Sequence, residues 1–391
     1  MNTIILWLLL RVTSSIFAGL VSYFRPITPL EFQVPVIPPS TPLSQWLERV
    51  FISPWMRWDA LWFERIVSNG YSASDGTTPF HPLFPWLATP LYKLGISPAL
   101  SLVIISSISG IALFYFFKKL AQIDLAPKDS NFALMVFALA PPAFILLAPY
   151  SEALFLLLSV LCLYFLRKKS WWLAGLMGGL ATLTRQQGVF LIFPMAWELW
   201  ENAGHNIKTL LKGWKEGLAI LLVAFGLLIW MAYRAIFVSD FNVNFNNLQG
   251  FIYSTIISPS ASAVVPIQKF IWPWQAIYYA IEKLVSQPDV DIWVNMIAAL
   301  LFLAILAISW KKMRTSYRIY SLVIAVISFS FYTGPVHPYM GLPRHLLLGF
   351  PAFIGFAPAI NKPWLRLILI ALSAMAFLFL LMIYILKSWV P

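Results

Sequence analysis

Residues 100–117 read LSLVIISSISGIALFYFF, and no charged side chain interrupts these eighteen residues. A helix of about 17 to 25 apolar residues is long enough to cross the hydrocarbon core of a bilayer. Similar apolar runs recur along nearly the whole chain of 391 residues, which is 60% hydrophobic and only 11% charged. Because backbone amides in hydrocarbon need internal partners, these runs should be α-helices. The sequence therefore predicts an all-α polytopic membrane protein.

The net charge of the chain is +12. In a soluble protein such a charge would suggest a nucleic-acid partner. Here the basic residues fall in short clusters between the apolar runs, which is typical of cytoplasmic loops. We therefore expect membrane lipids as partners and no nucleic acid. The clusters lie at residues 118–119, 167–169, 208–215, 311–318 and 362–366.

Placing all five basic clusters on the cytoplasmic side requires about eleven membrane spans. Arg11 lies in the first span, which we expect to remain uncleaved, and it either pairs inside the bundle or extends to the headgroups. The two spans on either side of Arg185 are short, but one tilted span there would move the later basic clusters to the outside. The expected spans are 3–22, 98–117, 131–148, 151–166, 171–184, 188–201, 217–237, 292–310, 319–333, 345–360 and 364–386.

Two long outer segments result from this threading, at about 25–97 and 238–291. Both are rich in Trp, Tyr, Phe and Pro, and such aromatic residues favour the membrane interface. Residues 58–67 and 270–284 are therefore expected to form interfacial helices. With neither a repeat nor a soluble segment visible, residues 1–391 are expected to form one membrane domain.

The few ionisable residues on the predicted outer side gather in short clusters, and two of their carboxylates are candidates for catalysis. Asp59 stands among aromatic residues at the start of an expected helix, where partial burial can make a carboxylate a better base. It can equally begin the helix or pair with Arg57. Glu152 begins a span, so it is either a site residue or a carboxylate that complements the helix dipole. Glu64 and Asp240 are the other acids considered.

Arg185 and Arg344 are cations at the outer ends of spans. A guanidinium group is planar and permanently charged, so either residue can bind a phosphate. The alternative is that both extend to lipid headgroups. His81, His337 and His345 do not have the spacing of a zinc motif, and no metal is expected. A Walker loop, a dinucleotide-binding fingerprint and a Gly-x-Ser-x-Gly elbow do not occur in the sequence.

These outer residues resemble the mannosyltransferase II family of glycosylphosphatidylinositol (GPI) synthesis, known as PIG-V-like, and its prokaryotic relatives. That family is a branch of the GT-C membrane glycosyltransferases. The resemblance is specific over about residues 55–195 and weaker beyond them. It rests on WDA at 58–60 with GY at 70–71, FHPLFP at 80–85, PYSEALF at 149–155, ATLTR at 181–185 with Gly188, and PRH at 343–345.

The resemblance implies a GT-C-type bundle that transfers a mannosyl residue, with inversion, from a polyprenyl-phosphate mannose donor to a lipid-linked or glycan acceptor. Asp59 would be the general base, and Arg344 and Arg185 would bind the donor phosphate. The donor is a substrate, so no cofactor is expected. The family tends to carry an aromatic residue where this chain has His81 and more polar residues where it has Leu61-Trp62, which bears on the acceptor. Further substrate-binding candidates are Trp58, Glu64, His81, Tyr150, Glu152, Gln186 and His345.

Three alternatives remain open on sequence grounds. The enzyme could use another polyprenyl-phosphate sugar, because sugar identity depends on hydrogen bonds to individual hydroxyls. A lipid or solute transporter would also have many spans, although it should show an internal repeat and charges at mid-membrane. A non-enzymatic membrane protein could bind a partner through its polar loops. The chain contains no Asn-x-Ser/Thr sequon, so we expect a prokaryotic plasma membrane, or the endoplasmic reticulum if the source is eukaryotic.

Overall fold

A computed structural model describes residues 2–24, 42–238, 269–335 and 337–386 of the chain. The predicted all-α membrane fold is confirmed. Five helices among these residues are long and apolar enough to cross a membrane, while the total of eleven spans stays a prediction. The five are Thr3–Phe24, Pro98–Asp124, Trp214–Val238, Val290–Lys312 and Pro363–Ile385.

The helices follow the apolar runs, and each expected span contains helical residues. One short antiparallel pair, β1 (Lys269–Phe270) with β2 (Phe331–Tyr332), joins the second outer segment to the bundle. The helices are α1 (Thr3–Phe24), α2 (Pro42–Phe51), α3 (Asp59–Asn69), α4 (Leu83–Lys93), α5 (Pro98–Asp124), α6 (Pro127–Ala138), α7 (Glu152–Arg167), α8 (Trp171–Thr184), α9 (Ile192–Asn202), α10 (Ile207–Lys212), α11 (Trp214–Tyr233), α12 (Pro273–Ser286), α13 (Val290–Ser309), α14 (Thr315–Ser330), α15 (Leu342–Leu347), α16 (Pro351–Phe356) and α17 (Pro363–Ile385).

The structure differs from the sequence prediction where expected spans are broken. The span at 131–148 divides into α6 and a 3-10 turn, Pro141–Leu146. The span at 345–360 divides into α15 and α16, and Pro351 begins the second piece. Proline lacks the N–H group that a helix interior needs, which explains both breaks. Non-helical backbone at membrane depth is tolerated where it is buried in protein or lines a cavity.

Helices α8 and α11 pack against each other through small residues. Helices α8 and α11 approach so closely that a Cβ atom on Gly226 would lie 2.1 Å from the carbonyl oxygen of Gly179. Gly175 and Gly179 form a Gly-x-x-x-Gly pair on α8, a spacing that lets membrane helices touch through their backbones. This contact holds the C-terminal end of α8 in place.

Arg11 lies inside the bundle. Of its two predicted roles, the structure supports pairing within the bundle rather than extension to the headgroups. Its guanidinium donates hydrogen bonds to the carbonyl oxygens of Leu147 and Phe51, the latter at 2.8 Å. The same group lies 4.9 Å from the ring centroid of Trp55. Carbonyl oxygens and an aromatic face therefore compensate for the burial of this charge.

Helices α3 and α12 form where interfacial helices are predicted, and their position at the interface stays a prediction. Asp240 and residues 25–41 lie outside the described residues. The bundle has two distinguishable ends, because α7 runs from Glu152 to Arg167. At the Arg167 end, called the opposite end below, arginines of three basic clusters form ion pairs with carboxylates. They are Arg167–Asp124 at 2.5 Å, Arg314–Glu198 at 2.5 Å, Arg314–Glu201 at 3.0 Å and Arg366–Asp129 at 2.5 Å.

Candidate active site

Four ionisable side chains from four separate segments meet at the Glu152 end of the bundle. Asp59 begins α3, Glu152 begins α7, Arg185 follows α8 and Arg344 lies in α15. Arg344 Nη1 lies 2.5 Å from Asp59 Oδ2 and 3.6 Å from Glu152 Oε1. Arg185 Nη1 lies 2.8 Å from the same Glu152 oxygen. We call these four residues the charge cluster.

Asp59 is held at the cluster by a strained turn. Trp58, which precedes it, has a φ of 49°, in a region that residues other than glycine adopt only at a cost of about 1 to 3 kcal/mol. Tyr150 stabilises this turn from both sides, because its hydroxyl donates to the carbonyl oxygen of Arg57 at 2.9 Å and accepts from the amide of Asp59 at 3.3 Å. The turn therefore sets the direction in which the Asp59 side chain points from the start of α3.

The two carboxylates differ in exposure. Glu152 is completely buried, and it shares one oxygen between Arg185 and Arg344. The Asp59 side chain is 22% exposed. A buried charge is tolerated only when it is paired, so Glu152 is suited to hold the two arginines together. Asp59 is the cluster carboxylate that a substrate can reach.

The segment around Arg185 is fixed by close backbone packing. A Cβ atom on Gly188 would lie 2.2 Å from the amide nitrogen of Thr182, so only glycine fits there. The Nδ1 atom of His81 lies 2.7 Å from the Thr182 carbonyl oxygen. Burial lowers the pKa of His81 to about 4 from its ordinary 6.5, so the ring is neutral near pH 7 and donates through Nδ1. Arg185 itself donates to the hydroxyl of Ser151 at 3.1 Å.

Each arginine of the charge cluster has one buried N–H donor that is not used in a hydrogen bond to the described residues. The Nε atoms of Arg185 and Arg344 are buried, and neither has a hydrogen-bond acceptor within the described ranges. A buried donor without an acceptor is costly, and this cost disappears when a ligand supplies one. An oxyanion such as a phosphate is the ligand that guanidinium groups bind best.

An apolar cavity of about 230 Å³ is lined mainly by residues of α13, α15 and α17. Pro343 lines it, and the next residue, Arg344, pairs with Asp59. Other walls come from α13 and α17, including Leu301, which is 51% exposed, and Phe379, which is 47% exposed. On membrane helices such side chains face lipid, so the cavity opens toward the surface that meets the acyl chains.

The remaining predicted site residues differ in their burial and in their orientation relative to the charge cluster. Glu64 follows Asp59 by five residues on α3, which turns it about 140° around the helix, and burial raises its pKa to about 6. Tyr150 is fully buried, and its ring centroid lies 5.7 Å from the guanidinium carbon of Arg344. Trp58, Gln186 and His345 are partly exposed beside Asp59, Arg185 and Arg344, respectively.

Sequence reasoning did not single out two further residues at the site. Ser151 accepts a hydrogen bond from Arg185, and its place between Tyr150 and Glu152 was the available signal. Tyr384 lies deep in the last apolar run, where nothing in the sequence marks it. Its hydroxyl donates to the Trp55 carbonyl oxygen at 2.8 Å and its ring packs 6.2 Å from that of Tyr150. In the part of the chain that the structure describes, no three His, Cys, Asp or Glu residues form a metal-binding group.

The family is decided by a sequence profile described as Mannosyltransferase (PIG-V), which matches residues 9–266. The chain belongs to this family. The match covers well over half of the sequence and includes Asp59, Glu152 and Arg185. The predicted recognition is therefore confirmed.

Individual relatives agree with this placement. The chain is similar to GPI alpha-1,6-mannosyltransferase 2 of Rattus norvegicus, with 26% identity over 246 residues that cover 60% of this chain and 47% of the relative. GPI mannosyltransferase 2 of Schizosaccharomyces pombe is 28% identical over 148 residues, covering 36% of this chain and 31% of the relative. The matches thus span about half, or less, of the length of these curated relatives.

One solved structure supports the fold of this PIG-V family member. ArnT from Cupriavidus metallidurans bound to undecaprenyl phosphate superposes with a TM-score of 0.51 and 13% sequence identity. The superposition covers 80% of this chain and 57% of ArnT. At this level of identity the likeness concerns the fold alone.

Proposed function

We propose that this protein transfers a mannosyl residue from a polyprenyl-phosphate mannose donor to a lipid-linked or glycan acceptor, with inversion, at the outer face of the membrane. The observation that carries the proposal is the charge cluster. It unites a reachable carboxylate, Asp59, with two guanidinium groups, Arg344 and Arg185. Inverting transfer from a phosphate donor needs one base on the attacking side and cations for the departing phosphate.

The reaction requires one proton transfer and one bond exchange. The acceptor hydroxyl oxygen forms a bond to the anomeric carbon while the bond from that carbon to the phosphate oxygen breaks. The electron pair leaves with the phosphate, which gains one negative charge. Arg344 contacts Asp59 through Oδ2, and we assign the other oxygen, Oδ1, as the acceptor of the hydroxyl proton.

The departing charge is the part of the reaction that the arginines would stabilise. Their buried Nε atoms, which have no acceptor in the described part of the chain, can donate to phosphate oxygens. Donors that are already oriented need no rearrangement as charge develops, which is why they stabilise a transition state. Charge stabilisation is assigned to guanidinium groups here, so the proposal invokes neither a metal nor a cofactor.

The apolar cavity supports a lipid-linked donor. A donor whose phosphate binds at Arg344 would place its hydrocarbon chain beside Pro343, which lines the cavity. The partly exposed cavity walls on α13 and α17 would then let the chain extend into the bilayer. A nucleotide sugar would use the arginines but not this apolar volume. ArnT, a structural neighbour, was solved with undecaprenyl phosphate, which is a ligand of the same chemical class.

The charge distribution supports an outer location for the charge cluster. The basic clusters and their ion pairs occupy the opposite end of the bundle, and cytoplasmic loops are rich in such residues. The charge cluster lies at the other end, because Glu152 and Arg167 begin and end the same helix. We therefore assign the cluster to the extracytoplasmic side of a plasma membrane, or to the lumen in a eukaryotic cell.

The test is transfer by the purified full chain in detergent or nanodiscs. It would receive radiolabelled polyprenyl-phosphate mannose and a phosphatidylinositol-based glycolipid or another lipid-linked glycan as acceptor. We expect Asp59→Asn to lower turnover by roughly 100- to 10,000-fold, the usual contribution of a general base. Asp129→Asn, which alters an ion pair at the opposite end, should retain turnover.

Two donors serve as controls. GDP-mannose carries the sugar without a lipid, and polyprenyl-phosphate glucose carries the lipid with another sugar. Transfer from GDP-mannose, or full turnover by a folded Asp59→Asn variant, would contradict the proposal. Preferential transfer from the glucose donor would retain the mechanism and replace the sugar.

A further inference from the structure

A buried polar network lies on α13, beside the segment that leads into α15. Asn295 is 3% exposed and Asp291 is 5% exposed, although both residues are polar. Asn295 Nδ2 contacts the Asp291 carbonyl oxygen at 2.9 Å and the carboxylate Oδ1 at 3.3 Å. Asp291 Oδ2 lies 3.2 Å from His337 Nδ1. Neither the proposed chemistry nor the motifs of the sequence account for this arrangement.

Asn295 holds the start of α15 from another helix. Its Oδ1 accepts a hydrogen bond from the amide of Leu342, the first residue of α15, at 3.2 Å. The residue before the helix is Gly341, which has a φ of 72° and no side chain to cap the helix. The first amides of a helix have no partner within the helix, so Asn295 supplies the cap that Gly341 lacks.

The same amide group also holds the segment before the helix. Asn295 Nδ2 lies 3.3 Å from the carbonyl oxygen of Tyr339, and Tyr339 in turn donates through its hydroxyl to Phe329 on α14 at 3.0 Å. The amide of Thr333 donates to the Pro338 carbonyl oxygen at 3.1 Å, which closes the turn. Tyr339 is therefore tied to both α13 and α14, and Thr333 is tied to Pro338.

Arg344 depends on these contacts for its position. It is the third residue of α15, which is only six residues long. A helix this short has too few internal hydrogen bonds to be stable by itself. Its side chain nevertheless reaches Asp59, 285 positions away in the sequence. The placement of the guanidinium therefore depends on the groups that fix the start of α15, together with the packing of its buried leucines.

We infer that Asn295, oriented by the Asp291–His337 pair, is a positioning residue that sets Arg344 in the charge cluster for phosphate binding. This inference rests on the proposed function, because it assigns the phosphate to Arg344. Asn295 does not touch the substrate. It acts through Leu342 and the start of α15, so a change at Asn295 should displace the guanidinium without removing it.

The experiment measures binding of a polyprenyl monophosphate to the purified full chain, followed by tryptophan fluorescence. Asn295→Ala should weaken binding about tenfold, as expected when one buried hydrogen-bonded support is lost. In an Arg344→Ala background the same change should have no further effect, because residues that act together are not additive. Asn131→Ala is the matched control, since the Asn131 amide oxygen on α6 accepts no hydrogen bond from the described residues, and its binding should equal that of the unaltered protein.

A second variant keeps the test decisive if Asn295→Ala does not fold. Asp291→Asn keeps the size of the side chain and leaves Asn295 as the acceptor for the Leu342 amide, and it removes the carboxylate that orients Asn295. It should weaken binding about threefold, with no further effect in an Arg344→Ala background. Equal binding by Asn295→Ala or by Asp291→Asn, or an additive loss with Arg344→Ala, would overturn the inference. If the unaltered protein itself binds no polyprenyl phosphate, the proposed function fails instead.

Discussion

The two ends of the bundle both pair arginines with carboxylates, but they arrange the pairs differently. At the opposite end Asp124 is 35% exposed and Glu198 is buried, and in each pair one arginine contacts both carboxylate oxygens. In the charge cluster two arginines share one oxygen of Glu152, and that carboxylate is completely buried. A one-to-one pair with two contacts is the favourable geometry for joining helices, whereas two cations on one buried oxygen is not. The comparison indicates that the opposite end serves the fold and that the charge cluster serves chemistry.

The largest expected difference between the two ends concerns turnover. Arg344→Ala should lower mannosyl transfer about 100- to 1000-fold, because it removes a donor aimed at developing charge. Arg167→Ala at the opposite end should keep turnover per folded molecule within about twofold. Initial rates, normalised to the amount of monodisperse protein from size-exclusion chromatography, provide the measurement. Equal losses in the two variants would remove the functional distinction between the ends.

Stability should respond at both ends, but unequally. Glu152→Gln leaves Arg185 and Arg344 without their shared buried charge, so the free energy of unfolding should fall by about 3 kcal/mol. Asp124→Asn breaks a partly exposed pair and should cost under about 1 kcal/mol. Thermal unfolding in one detergent, followed by intrinsic fluorescence, compares the two variants. A smaller loss for Glu152→Gln than for Asp124→Asn would contradict the role of Glu152.

The dependence of stability on pH should separate His81 from the rest of the protein. Its folded pKa of about 4 lies below its ordinary value of 6.5, so between these pH values the unfolded chain binds the extra proton. Stability therefore rises with pH across this window and is lost on acidification. Lowering the pH from 7 to 5 should cost about 2 kcal/mol through this group alone.

The control for this effect is His81→Phe, which removes the titrating ring. Subtracting its pH profile of thermal unfolding from that of the unaltered protein isolates His81. Glu64 and all other groups titrate in both proteins and cancel. Identical profiles would show that burial does not lower the pKa of His81 and so does not keep the ring neutral.

The smallest predicted effect concerns two tyrosine hydroxyls. Tyr150→Phe removes the hydroxyl that bridges Arg57 and Asp59, so it should cost about 1 kcal/mol and also lower turnover by relaxing the Trp58 turn. Tyr317→Phe at the opposite end removes a hydroxyl that accepts from Arg167 at 3.2 Å. It should change stability alone. Loss of turnover in Tyr317→Phe without loss in Tyr150→Phe would reverse the comparison.

Apolar runs and family motifs predict much of this molecule. Long apolar runs predict helices, because backbone amides in hydrocarbon have to form their hydrogen bonds within the segment. The motifs around Asp59, Glu152 and Arg185 mark residues that the structure brings together with Arg344. The spans that proved irregular contain prolines, and a proline indicates where a helix breaks without indicating how the pieces pack.

The contacts within the site could not be read from the sequence. Asp59 and Arg344 are 285 positions apart, and no local period relates residues so distant. The same limit applies to Tyr384 and Asn295, which stand inside apolar helices and acquire their roles only through the neighbours that folding supplies. Ser151 differs, because it stands next to Glu152 in the sequence and belongs to the same motif at residues 149–155.

The most direct test is a structure of the full chain in nanodiscs with a polyprenyl monophosphate bound. We expect the phosphate within hydrogen-bond distance of Arg344 and Arg185, with the first isoprene units in the apolar cavity beside Pro343. Asp59 should face the open side of the phosphate, where an acceptor hydroxyl can approach. A phosphate bound among the basic residues of the opposite end, with the charge cluster unchanged, would contradict the assignment of the active site.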